Sequence, residues 1–407
     1  MLKAITKILA VLLTVVALQG CFNPSSLSNK ELNWVGTWST APQLVEPHNM
    51  PPEPGLSSNT LRQIVRVSIG GDIVRLHFSN IFGTSPVEIK TAAIAKSTNK
   101  GLIEIESQEV LKFNNKNDAV IAPGEELFSD PIKFDLQPGS LLAITIHFGN
   151  TSHDITGHPG SRTTSYILSG NQMSSHDFAS SIETDHWYII NGIEVNAQEH
   201  SSAIAVLGNS ITDGRGSGTN KQNRWTDILS ERLLQDEETK NIGVLNMGIG
   251  GNCVLRGGLG PTGVDRFDRD ILSRNGVRWV IILEGINDIG AIEKAEDAEK
   301  TSHELIAAYK EMIAKAHEQG LFVYGATILP FAKSFYDNDF RQAARDIVND
   351  WIRNSGYFDG VIDFDRIMRN PEDTVVIQTD LHDGDFLHPN ELGYKTMGEY
   401  IDLNLFK

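Results

Sequence analysis

The first long part of the chain alternates hydrophobic and polar residues with a period of two. Between about Trp34 and Val195, segments such as residues 63–69 and 142–148 place apolar side chains at every second position, and Gly, Asn and Pro separate these segments. This alternation is typical of short antiparallel strands with one buried face. Residues 34–195 are therefore predicted to form an all-β sandwich or jelly-roll domain.

The pattern changes after residue 202. Short apolar runs rich in β-branched residues, typical of strands buried on both faces, alternate with segments whose apolar residues recur three and four positions apart. The predicted strands are residues 203–207, 243–246, 279–283 and 321–326, and the predicted helices are residues 225–234, 264–272, 295–317 and 340–354. This alternation indicates an α/β domain with a doubly wound parallel sheet over residues 203–405. Ligands of such sheets bind beyond the carboxyl ends of the strands.

The beginning of the chain has the pattern of an export signal. Two lysines precede an apolar run at residues 8–18, which is too short to cross a bilayer but has the length of a signal-peptide core. The run ends in the sequence LQGC, which resembles the bacterial lipobox, whose cysteine is lipidated. We therefore expect residues 1–20 to be a lipoprotein signal peptide and Cys21 to anchor an exported protein in the cell envelope. Ordinary signal cleavage nearby, with an incidental cysteine, is the alternative.

Charge and cysteine content narrow the range of partners and cofactors. The 407 residues include 52 Asp and Glu against 35 Lys and Arg, a formal net charge of −17. A chain this acidic repels phosphate backbones, so we expect no nucleic-acid partner. Its two cysteines cannot form a disulfide framework, and no Cys/His spacing matches a zinc site.

Two turns that follow predicted strands of the second domain carry candidate chemistry. Ser210 follows the first strand, where a hydroxyl and neighbouring N–H groups can face the same space, as a nucleophile beside an oxyanion requires. Gly251 follows the second strand and offers an N–H with no side chain to obstruct a substrate. Either turn alone also fits a purely conformational role. Thr212 rules out the GxSxG elbow, and the turn around Gly251 lacks a dinucleotide-binding pattern.

Two further motifs complete the set. Asn287 follows the third strand and could direct its amide donors at a developing negative oxygen, or simply cap a helix. Near the C-terminus, Asp385 and His388 have a spacing that lets a carboxylate fix the imidazole tautomer. A helix-capping acidic turn is one alternative for this segment. The other is a metal site made of His382, Asp383, Asp385 and His388, for which no further ligand is evident elsewhere.

Together the four motifs resemble the blocks of the SGNH (GDSL-like) hydrolase family. The resemblance covers about residues 203–405, and the sequence WVGTWSTAP at residues 34–42 is similar to the start of the subgroup with an N-terminal β domain. It implies a flavodoxin-type α/β sandwich for the second domain. The usual GDS is GNS here, so Asn209 stands where the family usually has aspartate.

The resemblance also assigns a role to each motif residue. It implies that Ser210 is the nucleophile and that the N–H groups of Ser210 and Gly251 form the oxyanion hole with the Asn287 amide. It further implies that His388 is the general base and that Asp385 orients it. No metal or organic cofactor is implied.

The implied activity is hydrolysis of carboxylic esters through an acyl-enzyme. Acetyl or other short acyl groups on glycans are the expected substrates, and short-chain lipid or aryl esters are the alternative. A surface glycan-binding protein with a degenerate hydrolase domain is a different possibility, although all five motif residues are present. We expect the β domain to influence substrate choice without supplying the chemistry. Within it, Arg162 either holds a substrate oxygen or pairs with an acidic side chain.

Overall fold

A computed structural model describes residues 32–407 of the chain. The expected signal peptide and the expected lipidation at Cys21 lie outside these residues. Residues 34–196 form antiparallel strands, as the period-two pattern predicts. They are β1 (Trp34–Ser39), β2 (Gln43–Leu44), β3 (Thr60–Arg66), β4 (Gly71–Ser79), β5 (Val87–Asn99), β6 (Leu102–Ile103), β7 (Glu109–Val110), β8 (Ala119–Ile121), β9 (Glu126–Phe128), β10 (Ile132–Leu136), β11 (Leu141–Phe148), β12 (Thr156–His158), β13 (Ser165–Leu168), β14 (Ile182–Thr184), β15 (Trp187–Tyr188) and β16 (Ile190–Asn196).

Two larger antiparallel sheets share one hydrophobic core, as in a β-sandwich. The first has the strand order β1-β16-β4-β10, with β9 also paired to β4. The second has the order β14-β13-β3-β11-β5-β6, with β7 and β8 also paired to β5, and a small third sheet has the order β15-β12-β2. Val74 and Phe78 from the first sheet and Ile89 and Ile144 from the second are fully buried in this core. The prediction of an all-β N-terminal region is confirmed.

The second region contains a five-stranded parallel sheet. Its strands are β17 (Ser202–Gly208), β18 (Ile242–Gly248), β19 (Val277–Leu283), β20 (Phe322–Ala326) and β21 (Gly360–Ile362). The strand order is β18-β17-β19-β20-β21. This is the flavodoxin-like order, in which the sheet grows outward in both directions from its first strand. The predicted α/β fold is therefore confirmed, and β21 is an addition to the four predicted strands.

Helices connect these strands. They are α1 (Ser210–Asp213), α2 (Trp225–Gln235), α3 (Gly263–Phe267), α4 (Ile286–Gly290), α5 (Ala298–Glu318), α6 (Asp339–Asn354), α7 (Phe364–Met368) and α8 (Glu391–Tyr400), with short 3₁₀ helices at Pro47–Asn49, Ile105–Ser107, Ala295–Asp297 and Leu403–Phe406. The helix predicted over residues 264–272 is α3 followed by a π-helical turn at Asp268–Leu272. None of the helices in residues 32–407 is long and apolar enough to span a bilayer.

The two regions are joined by more than the chain connection. Val35 on β1 and Leu245 on β18 belong to the same buried cluster. The backbone N–H of Val244 donates to the Ser68 hydroxyl at 3.0 Å. Residues 33–407 consequently form one compact unit.

Candidate active site

Tight packing fixes the turn that presents Ser210 at the carboxyl end of β17. Ser210 is the first residue of α1, and Asn209 caps this helix by accepting a hydrogen bond from the N–H of Ile211 on its Oδ1 at 3.1 Å. A Cβ on Gly248, at the end of the neighbouring strand, would overlap the backbone of Asp213. The sequence therefore lets α1 approach β18 closely, and Ser210 is held in one place.

Ser210, His388 and Asp385 form an unbroken hydrogen-bond chain. The Ser210 Oγ lies 2.9 Å from Nε2 of His388, and Nδ1 of His388 lies 2.6 Å from Oδ2 of Asp385. A carboxylate can only accept, so Nδ1 carries a proton and Nε2 is left free to accept the proton of Ser210. The sequence motif thus folds into the geometry of a nucleophile, a general base and an orienting carboxylate.

The carboxyl of Asp385 is held in its ionised form. Burial alone would raise its pKa, but hydrogen bonds from the His388 side chain and from the backbone N–H groups of His388 and Leu387 lower the pKa well below its usual range. Both backbone N–H groups donate to Oδ1 at 2.9 Å. Phe386, which lies between Asp385 and Leu387 in the chain, has a φ of +58°, a left-handed conformation that closes the turn.

His382 and Asp383, in the same segment, do not take part in this hydrogen-bond chain. Nδ1 of His382 accepts from the backbone N–H groups of Gly384 and Phe386 at 3.0 and 3.3 Å. Asp383 is exposed. Across residues 32–407, no group of three His, Cys, Asp or Glu side chains has an arrangement that could hold a metal ion.

Gly251 and Asn287 lie in the same cleft as Ser210. Gly251 has a φ of +70°, which favours glycine at this turn. The Asn287 side chain is fixed from two sides, because its Nδ2 donates to the Asn252 carbonyl at 2.7 Å and its Oδ1 accepts from the Tyr336 hydroxyl at 2.9 Å. An amide group has a second N–H, which can face an oxyanion in the cleft. Tyr336 was not identified from the sequence.

A fully buried arginine ties together the loops beneath these donors. Arg266 donates to the carbonyls of Gly208 and Met247 at 3.0 and 2.6 Å, at the ends of the two strands that precede Ser210 and Gly251. It also donates to Oδ1 of Asn252 at 2.9 Å. Arg266 is therefore a structural support of the site that the motif analysis did not find.

Both regions of the protein form the walls of the cleft, which has a volume of about 410 Å³. The α/β region contributes Leu259 and Phe335, which are 46% and 68% exposed. The β region contributes a mostly polar wall made of Gln43, Glu46, Asn49, Pro159, Gly160, Arg162 and His186. This wall places the β region within reach of a substrate bound at Ser210.

Arg162 fulfils one of its two expected roles and remains available for the other. Its Nη2 lies 3.3 Å from Oδ2 of Asp213, so the expected pairing with an acidic side chain is present. Its side chain also lines the cleft and is 31% exposed. A second partner of Asp213, His158, was not singled out from the sequence.

Comparison with known proteins identifies the class of the second region. Residues 206–396 match the model of the GDSL-like Lipase/Acylhydrolase family. The matched range includes Ser210, Gly251, Asn287, Asp385 and His388. The C-terminal half of the chain is therefore a GDSL-like (SGNH) hydrolase domain, and the β region lies outside the match. None of the curated proteins compared with the chain matches it.

Several solved structures are similar to about half of the chain. A G-D-S-L family protein from Desulfitobacterium hafniense is 22% identical, with a TM-score of 0.38, and the alignment covers 49% of this chain and 97% of that one. A GDSL-like lipase from Bacteroides thetaiotaomicron is 19% identical, with a TM-score of 0.37 and coverage of 50% and 88%. A catalytic mutant of an acetylxylan esterase from Geobacillus stearothermophilus is 17% identical, with a TM-score of 0.38 and coverage of 50% and 94%.

Proposed function

We propose that the protein hydrolyses carboxylic esters through an acyl-enzyme on Ser210. The observation that carries this proposal is the hydrogen-bond chain from Ser210 through His388 to Asp385, with distances of 2.9 and 2.6 Å. In the first step His388 Nε2 takes the hydroxyl proton while Oγ attacks the ester carbonyl carbon. The carbonyl oxygen becomes an oxyanion that accepts hydrogen bonds from the Gly251 N–H and the Asn287 amide, together with the N–H of Ser210.

The same histidine completes the reaction. The protonated His388 donates its proton to the oxygen of the leaving alcohol as the ester bond breaks. A water molecule then loses a proton to His388 and attacks the acyl carbon, which releases the carboxylic acid and returns the proton to Ser210. Each step moves one proton through one ring nitrogen, which the carboxylate of Asp385 keeps in position.

We propose short acyl groups on saccharides as the substrates. The cleft has the size of a small-molecule site, and Gln43, Glu46 and Asn49 line it with side-chain oxygens that can accept hydrogen bonds from sugar hydroxyls. Phe335, exposed beside Tyr336, provides an aromatic surface for the apolar face of a sugar ring. The exposed apolar side chains of Leu259 and Phe335 equally favour the second candidate, a short lipid or aryl ester.

The test is release of acid from a panel of esters by the full mature chain. The panel contains acetylated glycans, short-chain lipid esters and aryl acetates. Ser210→Ala should lower kcat by at least about a thousandfold, because losing the nucleophile disables residues that act as a unit. Ser355→Ala, at a half-buried serine that follows α6 and does not line the cleft, is the matched control and should retain full activity.

Two results would overturn the proposal. One is a Ser210→Ala variant that retains most of its turnover. The other is tight calorimetric binding of a glycan by the wild-type protein without hydrolysis of any ester, which would support the glycan-binding alternative.

We also propose that the protein is exported and anchored through a lipid on Cys21. The support is the apolar run at residues 8–18 followed by the sequence LQGC.

A further inference from the structure

A buried carboxylate lies against both α1, which begins with Ser210, and the loop that contains Gly251. Asp213 ends α1, three residues after Ser210, and its side chain is 2% exposed. Its Oδ2 would be only 3.5 Å from a Cβ on Gly250, the residue before Gly251. A Cβ on Gly160, in the β region, would overlap the same carboxylate. Asp213 is thus held between the two regions, close to the groups that surround the reacting carbonyl.

An unpaired negative charge in this place would oppose ester hydrolysis. The transition state develops an oxyanion beside Gly251, and the electrostatic interaction between like charges is strong where water is excluded. Burial of an unpaired carboxylate also costs folding free energy. A carboxylate at position 213 is therefore compatible with the proposed reaction only when it is neutralised.

The β region supplies the two nearest positive groups. His158 Nε2 lies 2.8 Å from Oδ1 of Asp213, and His158 Nδ1 lies 2.9 Å from the carbonyl oxygen of Ala41. A carbonyl oxygen and an ionised carboxylate can only accept hydrogen bonds, so with Asp213 ionised both ring nitrogens are donors and His158 is an imidazolium. Arg162 adds a second positive group at 3.3 Å.

The ionisation of Asp213 agrees with this arrangement. Burial by itself raises the pKa of the carboxyl, but His158 lowers it most strongly, and Arg162 and Arg224 lower it further, so that the net pKa is below the usual range. The His158 side chain is 4% exposed, so water screens the pair very little.

We propose that His158 is an electrostatic positioning residue for the active site. It neutralises Asp213 beside the loop that contains Gly251, and it links α1, which begins with Ser210, to the β region. The β region then contributes to catalysis through charge, in addition to forming a wall of the cleft. This inference rests on the proposed ester hydrolysis, although the charge state of His158 can be tested separately.

The kinetic test uses three variants of the full chain on one aryl acetate. His158→Gln keeps a hydrogen-bonding side chain but removes the nearest counter-charge of Asp213 and leaves only the more distant Arg162 beside it. We expect kcat to fall about tenfold to a hundredfold with little change in KM, because the partly uncompensated charge of Asp213 acts on the transition state. In the double variant His158→Gln/Asp213→Asn both charges are absent, and kcat should recover to within about fivefold of the single Asp213→Asn variant.

The control separates loss of charge from loss of stability. His77 is another buried histidine of the β region, with Nε2 3.4 Å from Oε2 of Glu126 and no part in the cleft walls. His77→Gln should leave kcat unchanged at a temperature at which all variants remain folded by circular dichroism. Wild-type kcat in His158→Gln, or no recovery in the double variant, would overturn the proposal.

A measurement that needs no turnover tests the charge of His158 independently of the proposed ester hydrolysis. In Ser210→Ala, nitrogen NMR shifts of His158 at pH 7 should be those of a doubly protonated ring. A neutral His158 would overturn the electrostatic role even if esters are hydrolysed. If His158 is charged but the protein hydrolyses no ester, the proposed function is overturned and so is the role of His158 in catalysis, whereas its pairing with Asp213 stands.

Discussion

The side-chain amide of Asn209 donates a hydrogen bond to the buried carboxyl of Glu284, with Nδ2 3.1 Å from Oε2. The N–H of Gly285 donates to the same oxygen at 3.2 Å, and Arg266 Nη2 lies 3.5 Å from Oε1. Burial raises the pKa of Glu284 to about 8, although these donors favour its charged form. An aspartate at position 209, as the resemblance would lead one to expect, would place a second carboxyl against Glu284. The asparagine therefore suits this particular neighbour while still capping α1.

We predict that Asn209→Asp makes stability more sensitive to alkaline pH. Glu284 has a higher pKa in the folded state than in the unfolded chain, so the folded protein binds the extra proton and the free energy of unfolding falls as pH rises from about 4.3 to 8. A carboxylate at position 209 raises that pKa further and extends the fall beyond pH 8, by at most about 1.4 kcal/mol per pH unit.

The measurement is the melting temperature of Asn209→Asp and of the control Asn209→Ala at pH 6 and pH 9. The alanine variant loses the helix cap and the donor without gaining a charge. The aspartate variant should lose more stability than the alanine variant between the two pH values. An equal loss in both variants would contradict the prediction.

Asp385→Asn should lower kcat by about a thousandfold to ten thousandfold while leaving KM nearly unchanged. An amide can present an N–H to the imidazole, which favours the tautomer in which Nε2 cannot take the serine proton. Steady-state kinetics on an aryl acetate provide the measurement. Asp383→Asn is the matched control, since Asp383 is exposed and no hydrogen bond links its side chain to His388. Greater damage from the control would favour the metal alternative for this segment.

Phe335→Ala should reduce kcat/KM on acetylated glycans about tenfold while largely preserving activity on a small aryl acetate. The reason is the loss of an exposed aromatic surface at the cleft, and a tenfold loss corresponds to about 1.4 kcal/mol. Val120→Ala removes a similarly exposed apolar side chain on β8, away from the cleft, and should change neither rate. A larger loss on lipid or aryl esters than on glycans would instead favour the alternative substrates.

A fragment of residues 198–407 should not fold on its own. Removal of the β region would uncover Leu245 on β18 and Ala203 on β17, which are buried in its core, and it would leave Asp213 without His158. Far-UV circular dichroism and size-exclusion chromatography of the fragment test this. A monomeric fragment with a cooperative melt would show that the α/β region is independent.

Cys21→Ser should release active enzyme from the membrane fraction. The predicted lipid attaches to the cysteine sulfur, whereas Ser210 and the rest of the site lie far along the chain. Detergent-phase partitioning combined with an esterase assay measures both properties. Continued partitioning of the variant with membranes would show that another segment provides the attachment.

The sequence predicts the parts of the fold and site that depend on local patterns. The strands from β17 to β20 are apolar runs, and each of Ser210, Gly251 and Asn287 follows one of them closely, so the topology alone brings them to one sheet edge. The strand β21 was missed because it has only three residues, one of them exposed.

The remaining parts depend on contacts between distant segments. Tyr336 reaches Asn287 across 49 positions, and His158 reaches Asp213 across 55. A single tyrosine in a loop or a single histidine in a strand has no spacing that marks its partner. The polar wall of the cleft could not be predicted from motifs for the same reason. It exists only because the β region packs against the α/β region.

The pairing of β1 with β16 has a consequence for biosynthesis. Trp34 pairs with Asn196, at the far end of the β region. At about 5–20 residues per second, β1 leaves the ribosome roughly 8–30 seconds before its partner exists. The packing of Val35 is completed later still, because Val35 also packs against Leu245. During that interval an apolar strand lacks its hydrogen-bond partner and is open to wrong pairing. The first strand to be synthesised therefore acquires its hydrogen-bond partner only after the whole β region has been synthesised.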